Sequence, residues 1–258
     1  MAIQEQKFPS ETITLPSRGW FYPEGHPLAS GELECFLMTA KHEDILTSKN
    51  LIQRGIVIDK LLEALIANPL VKLDDMLLGD KAAIMIAARI LGYGKDYPVS
   101  INCSKCGERN EVTIDLQNLE EKTSEFFTSE NKGKNVFSFI LPNSRKNIIF
   151  KFLTHEDEKA VRTEIDGMKK ILKSEVGSEM TTRIRRSVIS IDGNEDGEYI
   201  RSFINSMPAR DSKALRDYIR KNAPDVDLMY PFVCKECGNE TRLEVPIDIT
   251  FFWPDAGV

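Results

Sequence analysis

Two pieces of this chain repeat each other, and each carries half the ligand set of a metal site. Tyr97-Pro98-Val99-Ser100-Ile101-Asn102-Cys103-Ser104-Lys105-Cys106-Gly107 leads through a polar tip into Val112-Thr113-Ile114-Asp115. Tyr230-Pro231-Phe232-Val233-Cys234-Lys235-Glu236-Cys237-Gly238 leads into Leu243-Glu244-Val245-Pro246-Ile247-Asp248. Both predict two alternating strands joined by a tight turn carrying CxxCG. One such knuckle offers two thiolates, and a structural zinc takes four in a tetrahedron. Cys234 follows Cys103 by 131 positions. A Zn2+ ion held by Cys103, Cys106, Cys234 and Cys237 would therefore staple distant stretches rather than close one small finger. The sequence leaves open whether the four ligands come from one chain or from two.

Four thiolates around Zn2+ leave a local charge of about −2, which Lys105, Arg109, Lys235 and Arg242 are placed in sequence to offset. Gly107 and Gly238 let the backbone turn so that its amides face sulfur. Two other readings compete: knuckles that pack without metal, and redox pairs. Redox CxxC motifs usually open a helix after a strand, whereas these lie at hairpin tips. Cys35, among Leu33, Phe36 and Leu37, reads as a small buried apolar residue.

A chain of 258 residues, 41% hydrophobic and 29% charged, is long enough for a substantial core and ordinary for a globular protein. Its net charge of −6 provides no global field for a phosphate backbone. Residues 1–7 lack the apolar core of a signal peptide, and Arg89 interrupts the apolar run from Ala82 to Leu91. The expectation is a soluble protein made inside the cell, with no membrane partner and reduced cysteines.

The repeat extends beyond the knuckles. Phe36-Leu37-Met38-Thr39 leads into His42-Glu43-Asp44, and Phe150-Lys151-Phe152-Leu153-Thr154 leads into His155-Glu156-Asp157. Each reads as a strand, a Thr cap and an acidic first helical turn. Asp80 precedes Cys103 by 23 positions, as Asp211 precedes Cys234, and each Asp is read as opening a helix, Ile84 to Leu91 and Leu215 to Lys221. Further helices are expected over Ile56 to Ile66 and Glu158 to Lys173, and a hairpin from Val136 to Phe152 turning at Pro142-Asn143-Ser144-Arg145. An insertion of 18 residues, around Gly167 to Gly193, lengthens the second half.

The resulting expectation is an α+β fold of two duplicated strand–helix–knuckle halves joined in one zinc-ribbon-like site. Its segments are an extended N-terminal arm (1–32), a first half (33–118), a polar linker (119–135), a second half (136–250) and an aromatic tail (251–258). The arm and the tail stand outside the repeat.

Catalytic signals are sparse. HExxH, GxSxG and a phosphate-cradling glycine loop are absent from the sequence. Four cysteines leave zinc no open position, so no enzyme activity and no small-molecule substrate are expected. The basic cluster Arg183, Arg185, Arg186, near Lys169, Lys170 and Lys173, reads first as a solvated face, then as a site for an acidic protein, and last for nucleic acid.

The ordered set Leu15-Pro16-Ser17-Arg18-Gly19 with Tyr22, Gly79-Asp80, Tyr93-Gly94, Cys103 to Gly107, Ile191-Asp192-Gly193, Cys234 to Gly238 and Phe251-Phe252-Trp253-Pro254 resembles the T-even-type baseplate family of contractile-tailed phages. That family includes baseplate hub subunits and hub assembly catalysts. The resemblance implies a virion structural or assembly role, with other baseplate and tail hub proteins as partners and self-association as a further option. It places the protein in the host cytoplasm during assembly and in the tail baseplate if it stays in the particle. Trp20, Phe21, Tyr22, Phe252 and Trp253 are the aromatics expected to anchor partners, or else to cover the chain's own core. The alternative reading is a zinc-ribbon accessory protein that binds nucleic acid, which salt-dependent binding to a generic duplex would favour.

Overall fold

The computed structural model describes residues 9–172, 179–247 and 249–252. It is a mixed α+β fold of helices and small antiparallel sheets. The chain begins with a hairpin, β1 (Ser10–Thr14) pairing antiparallel with β2 (Glu32–Phe36). Helices α1 (Ala40–Leu46), α2 (Lys49–Gln53), α3 (Val57–Leu65) and α4 (Leu78–Tyr93) follow, then the hairpin β3 (Asp96–Asn102) and β4 (Arg109–Asp115). The later stretch opens with β5 (Phe137–Ile140) and β6 (Asn147–Phe150). It continues through α5 (His155–Leu172), α6 (Glu179–Ser187), β7 (Val188–Ile191), α7 (Gly197–Ser206) and α8 (Ala209–Asn222), and closes on the hairpin β8 (Met229–Val233) and β9 (Glu240–Glu244).

Helical periodicity is what fixes α3: Val57, Leu61, Leu62 and Leu65 form one buried stripe. The region read as an insertion contributes β7, which pairs antiparallel with β6 and makes a three-stranded sheet in the order β5-β6-β7. Its Ile191-Asp192-Gly193 turn holds Asp192 at φ 50°. There the Asp192 carboxylate accepts from Asn147 N–H at 2.8 Å and from Lys146 Nζ at 2.7 Å, tying the turn to the start of β6.

Asp80 and Asp211 do not cap their helices; each is the third residue of one, α4 and α8 respectively. Both are buried, and both receive amides from a distant turn. Ser17 N–H donates to Asp80 Oδ1 at 2.9 Å and the Tyr22 hydroxyl donates to Oδ2 at 2.6 Å. Asn143 N–H and Ser144 N–H donate to the two oxygens of Asp211 at 2.7 and 2.9 Å. The turns themselves match: Leu15-Pro16-Ser17-Arg18 follows β1 and Leu141-Pro142-Asn143-Ser144-Arg145 follows β5. Leu15 and Leu141 are fully buried, and Arg18 and Arg145 take φ of 51° and 59°. The stretch read as an arm thus holds a counterpart of the later turn.

The two acidic triplets are not structural equivalents. Thr39 and Thr154 both stand before the first residue of a helix, but His42 is third in α1 whereas His155 is first in α5. His42 Nδ1 accepts from Thr39 N–H at 3.0 Å, while in α5 the corresponding acceptor is Asp157, at 3.1 Å from Thr154 N. What the two stretches share is the Thr before the helix, whose N–H is accepted by the side chain three residues on.

Two large apolar cores form among the described residues, and each draws on both ends of the chain. One gathers Leu15 and Phe21 with Phe137, Phe150, Phe152 and Leu215. The other gathers Leu61, Ile86, Tyr97 and Ile114 with Val245, Phe251 and Phe252. Residues 119–135 are no free tether, because Phe126 and Phe127 pack against the first core. Gly79 lies where α4 meets the end of α8: a Cβ there would stand 1.9 Å from the Pro224 carbonyl oxygen.

The Asp211 anchor makes a pH-dependent prediction. Burial pushes its carboxyl up, but the amides of Asn143 and Ser144 outweigh this and hold it below the usual range. A depressed folded pKa contributes stability above the unfolded value, about 4, that is lost as pH falls through the folded one. Asp211→Asn should therefore cost about 1–2 kcal/mol at pH 7, and the difference from wild type should shrink at pH 3 in urea unfolding curves.

Candidate metal centre

The two knuckles close with the same backbone pattern. Cys103 N–H donates to the Glu108 carbonyl at 2.8 Å and Gly107 N–H returns to the Cys103 carbonyl at 2.9 Å. Cys234 N–H donates to the Asn239 carbonyl and Gly238 N–H to the Cys234 carbonyl, both at 3.0 Å. The turns require φ of 75° at Gly107 and 66° at Gly238, a region costly for residues with a side chain. Behind them the inner faces of the hairpins pack together, with Phe232 against Cys103 and Cys234, flanked by Ile101, Val112 and Leu243.

This packing brings four sulfurs of one chain together. Cys103, Cys106, Cys234 and Cys237 place their Sγ atoms within 4.8 Å of one another. The Cys103–Cys237 and Cys106–Cys234 separations are both 3.7 Å. A tetrahedral ion with metal–sulfur bonds of about 2.3 Å needs sulfur–sulfur edges of about 3.8 Å. The four-thiol set therefore fits a tetrahedral soft or borderline ion and could hold one. Cys103 and Cys234 are buried and Cys106 and Cys237 exposed, so the cluster has an inner and an outer pair.

Backbone amides do most of the electrostatic work. The N–H groups of Cys106 and Lys105 lower the Cys103 thiol, and those of Cys237 and Glu236 bring Cys234 down to about 6 against a smaller opposing effect of burial. For Cys106, the Glu108 amide pulls down, but burial and the three neighbouring thiols together push it up to about 12. Ionised thiols this close repel one another, and a cation among them would relieve that. Arg109 and Arg242, expected to offset the charge, are engaged elsewhere: Arg109 donates to Ser100 Oγ at 2.9 Å, and Arg242 to Asp227 at 2.9 Å.

Asn110, unremarked in the sequence, is 4% exposed and crosses between the knuckles. Its Nδ2 donates to Cys234 Sγ at 3.6 Å and to the Glu108 carbonyl at 3.0 Å, and its Oδ1 accepts from Lys235 N–H at 3.0 Å. Its position seven residues after Cys103, where the other knuckle has Thr241 after Cys234, was the available signal. Cys35 is 2% exposed and burial pushes its thiol up to about 12, consistent with a packing role.

The aromatics expected as anchors are mostly spent inside the chain. Phe21 stacks on Phe127 at 5.5 Å and meets Phe137 and Phe152 edge-on at 5.4 Å. Tyr22 is committed to Asp80 and, through its hydroxyl oxygen, accepts from Leu77 N–H at 2.9 Å. Phe252 is fully buried beside Phe251. Aromatic area buried in the core offers a partner nothing to cover. Trp20 is half-buried, 6.2 Å from Phe127 with Lys132 Nζ 5.8 Å over its ring. Trp253 lies outside the described residues.

A second polar cluster joins α3, α4 and α5. His155, 2% exposed, places Nε2 at 3.1 Å from Asp59 Oδ2 and Nδ1 at 3.1 Å from Lys81 Nζ. Burial pushes Asp59 up, but hydrogen bonds from His155 and Lys81 outweigh it and hold the carboxyl well below its usual range. Its members satisfy one another, as an interlock requires. Among the described residues no helix is long and apolar enough to cross a membrane.

Among known protein families, the model described as T4 bacteriophage base plate protein matches residues 26–253. No curated protein and no solved structure gives a significant match.

Proposed function

The chain belongs to the T4 bacteriophage base plate protein family, and from that premise we propose that it is a non-enzymatic component or assembly factor of the central hub of the tail baseplate, clasped by one structural zinc. The observation that carries the role is the family match across nearly the whole chain; the one that supports zinc is the four-thiol cluster at tetrahedral spacing. A structural zinc supplies folding energy. Cys103, Cys106, Cys234 and Cys237 would hold it, Asn110 and the turn amides would orient the sulfurs, and two duplicated halves would meet at the ion. The matching LP-turn–Asp anchors and matching knuckles support the duplication. The knuckle tips carry both signs of charge, Lys105, Arg109 and Lys235 beside Glu108, Glu111 and Glu236, which suits protein contacts better than a phosphate backbone.

In a phage whose copy of this gene is interrupted, electron micrographs of lysates should show heads without attached contractile tails or with no completed baseplate. Particles of normal yield and form would overturn the role. Quantitative mass spectrometry of purified wild-type virions then distinguishes a resident hub subunit, present at fixed copy number, from a factor that acts only in the host cytoplasm.

A further inference from the structure

Between the start of α4, the Phe152–Leu153 strap, α6 and the end of α8 lies an open cleft of about 770 Å³. Its floor is apolar, built from Leu78, Phe152, Ile184 and Ile219. Met180 at its lip is 51% exposed. Of the basic residues that sequence reading singled out nearby, Arg183 and Arg185 are neutralised within the chain. Arg183 pairs with Glu158 at 2.7 Å and with Glu179 at 3.1 Å, and Arg185 pairs with Glu164.

Arg216 is different. It lines the same cleft from α8, it makes no ion pair among the described residues, and its Nε is buried without a hydrogen-bond partner. A guanidinium is always charged, and one without an ion pair offers a carboxylate a charge partner. An apolar floor with a flexible Met at its lip and an arginine without an ion pair in its wall matches an apolar segment carrying an acidic residue.

We propose that this cleft is a docking site for a short acidic-apolar segment of another tail protein, its carboxylate seated on Arg216 and its apolar residues on the floor formed by α4, α6 and α8. The identity of the partner class rests on the baseplate reading; the cleft and its chemistry do not.

The test uses the full-length protein and a labelled library of twelve-residue peptides tiling every other tail protein of the same phage, together with peptides tiling this chain. Selected tail-protein peptides should bind, all containing Asp or Glu among apolar residues. Replacing that acid by its amide, or introducing Arg216→Glu or Met180→Asp, should each weaken binding at least about tenfold. Unchanged thermal unfolding of both protein variants confirms that they fold; if Arg216→Glu does not fold, Met180→Asp and the peptide amide carry the test. Binding by no tail-protein peptide, binding only by this chain's own peptides, or binding indifferent to Arg216 and to the peptide acid would each overturn the proposal. If gene interruption blocks baseplate formation while no peptide binds, the hub role stands and the cleft assignment falls. If peptides bind as expected while particles form normally without the gene, the cleft chemistry stands and the hub role falls.

Discussion

Cys103→Ser should release the metal and lower the midpoint of thermal unfolding by about 10 °C or more, because the binding energy of a structural zinc is folding energy. Cys103 is the sharper choice because it is 3% exposed and packs against Phe232 at the inner side of the cluster. Elemental analysis of the purified protein should give one zinc per wild-type chain and almost none in the variant. Cys35→Ala should leave the metal content unchanged, since Cys35 lies among apolar side chains outside the cluster. Melting curves that coincide with and without a strong chelator would sink the zinc reading while leaving the family assignment untouched.

Asp80→Ala should cost about 3 kcal/mol or more, the range expected when two buried donors lose a shared acceptor. The donors are Ser17 N–H and the Tyr22 hydroxyl, both in a turn that also packs through Leu15, Trp20 and Phe21. Burial pushes the Asp80 carboxyl up, and the hydrogen bonds from Tyr22 and Ser17 act against that. Tyr22→Phe removes one donor and should cost less than the alanine change. The two effects should be non-additive in a double-mutant cycle read by urea unfolding. Simple additivity would show that the turn is held by packing alone.

The knuckles were legible from sequence because strand alternation and CxxCG turn chemistry are local signals, and their shared spacing from Asp80 and Asp211 pointed to the same surroundings. The role of those aspartates was not. Their partners lie 63 and 68 residues away, at Ser17 and Asn143, and helix periodicity carries no information about such a pairing. The recurrence of Leu-Pro before an Arg at Leu15 and Leu141 was the usable clue. Reading the repeat from the acidic triplets set the two helices out of register by two residues, because His42 and Asp157, not the two histidines, occupy equivalent first-turn positions. Strand β7 was hidden by its length of four residues within a stretch read as inserted. The aromatic run Trp20-Phe21-Tyr22 looked like an anchor for others because sequence gives aromatic area but not what covers it.

The distance between the knuckles also sets an order of events on the ribosome. The Asp80 and Asp211 anchors each join residues made within 70 positions of one another, so either can form soon after its stretch emerges. The first pair of thiols has no such neighbour; it must wait, unpaired and exposed to oxidants and stray ions, until Cys237 has cleared the exit tunnel. Closure of the sulfur cluster is then a late step in biosynthesis, and a chain cut short before it would carry the first pair of thiols without the second.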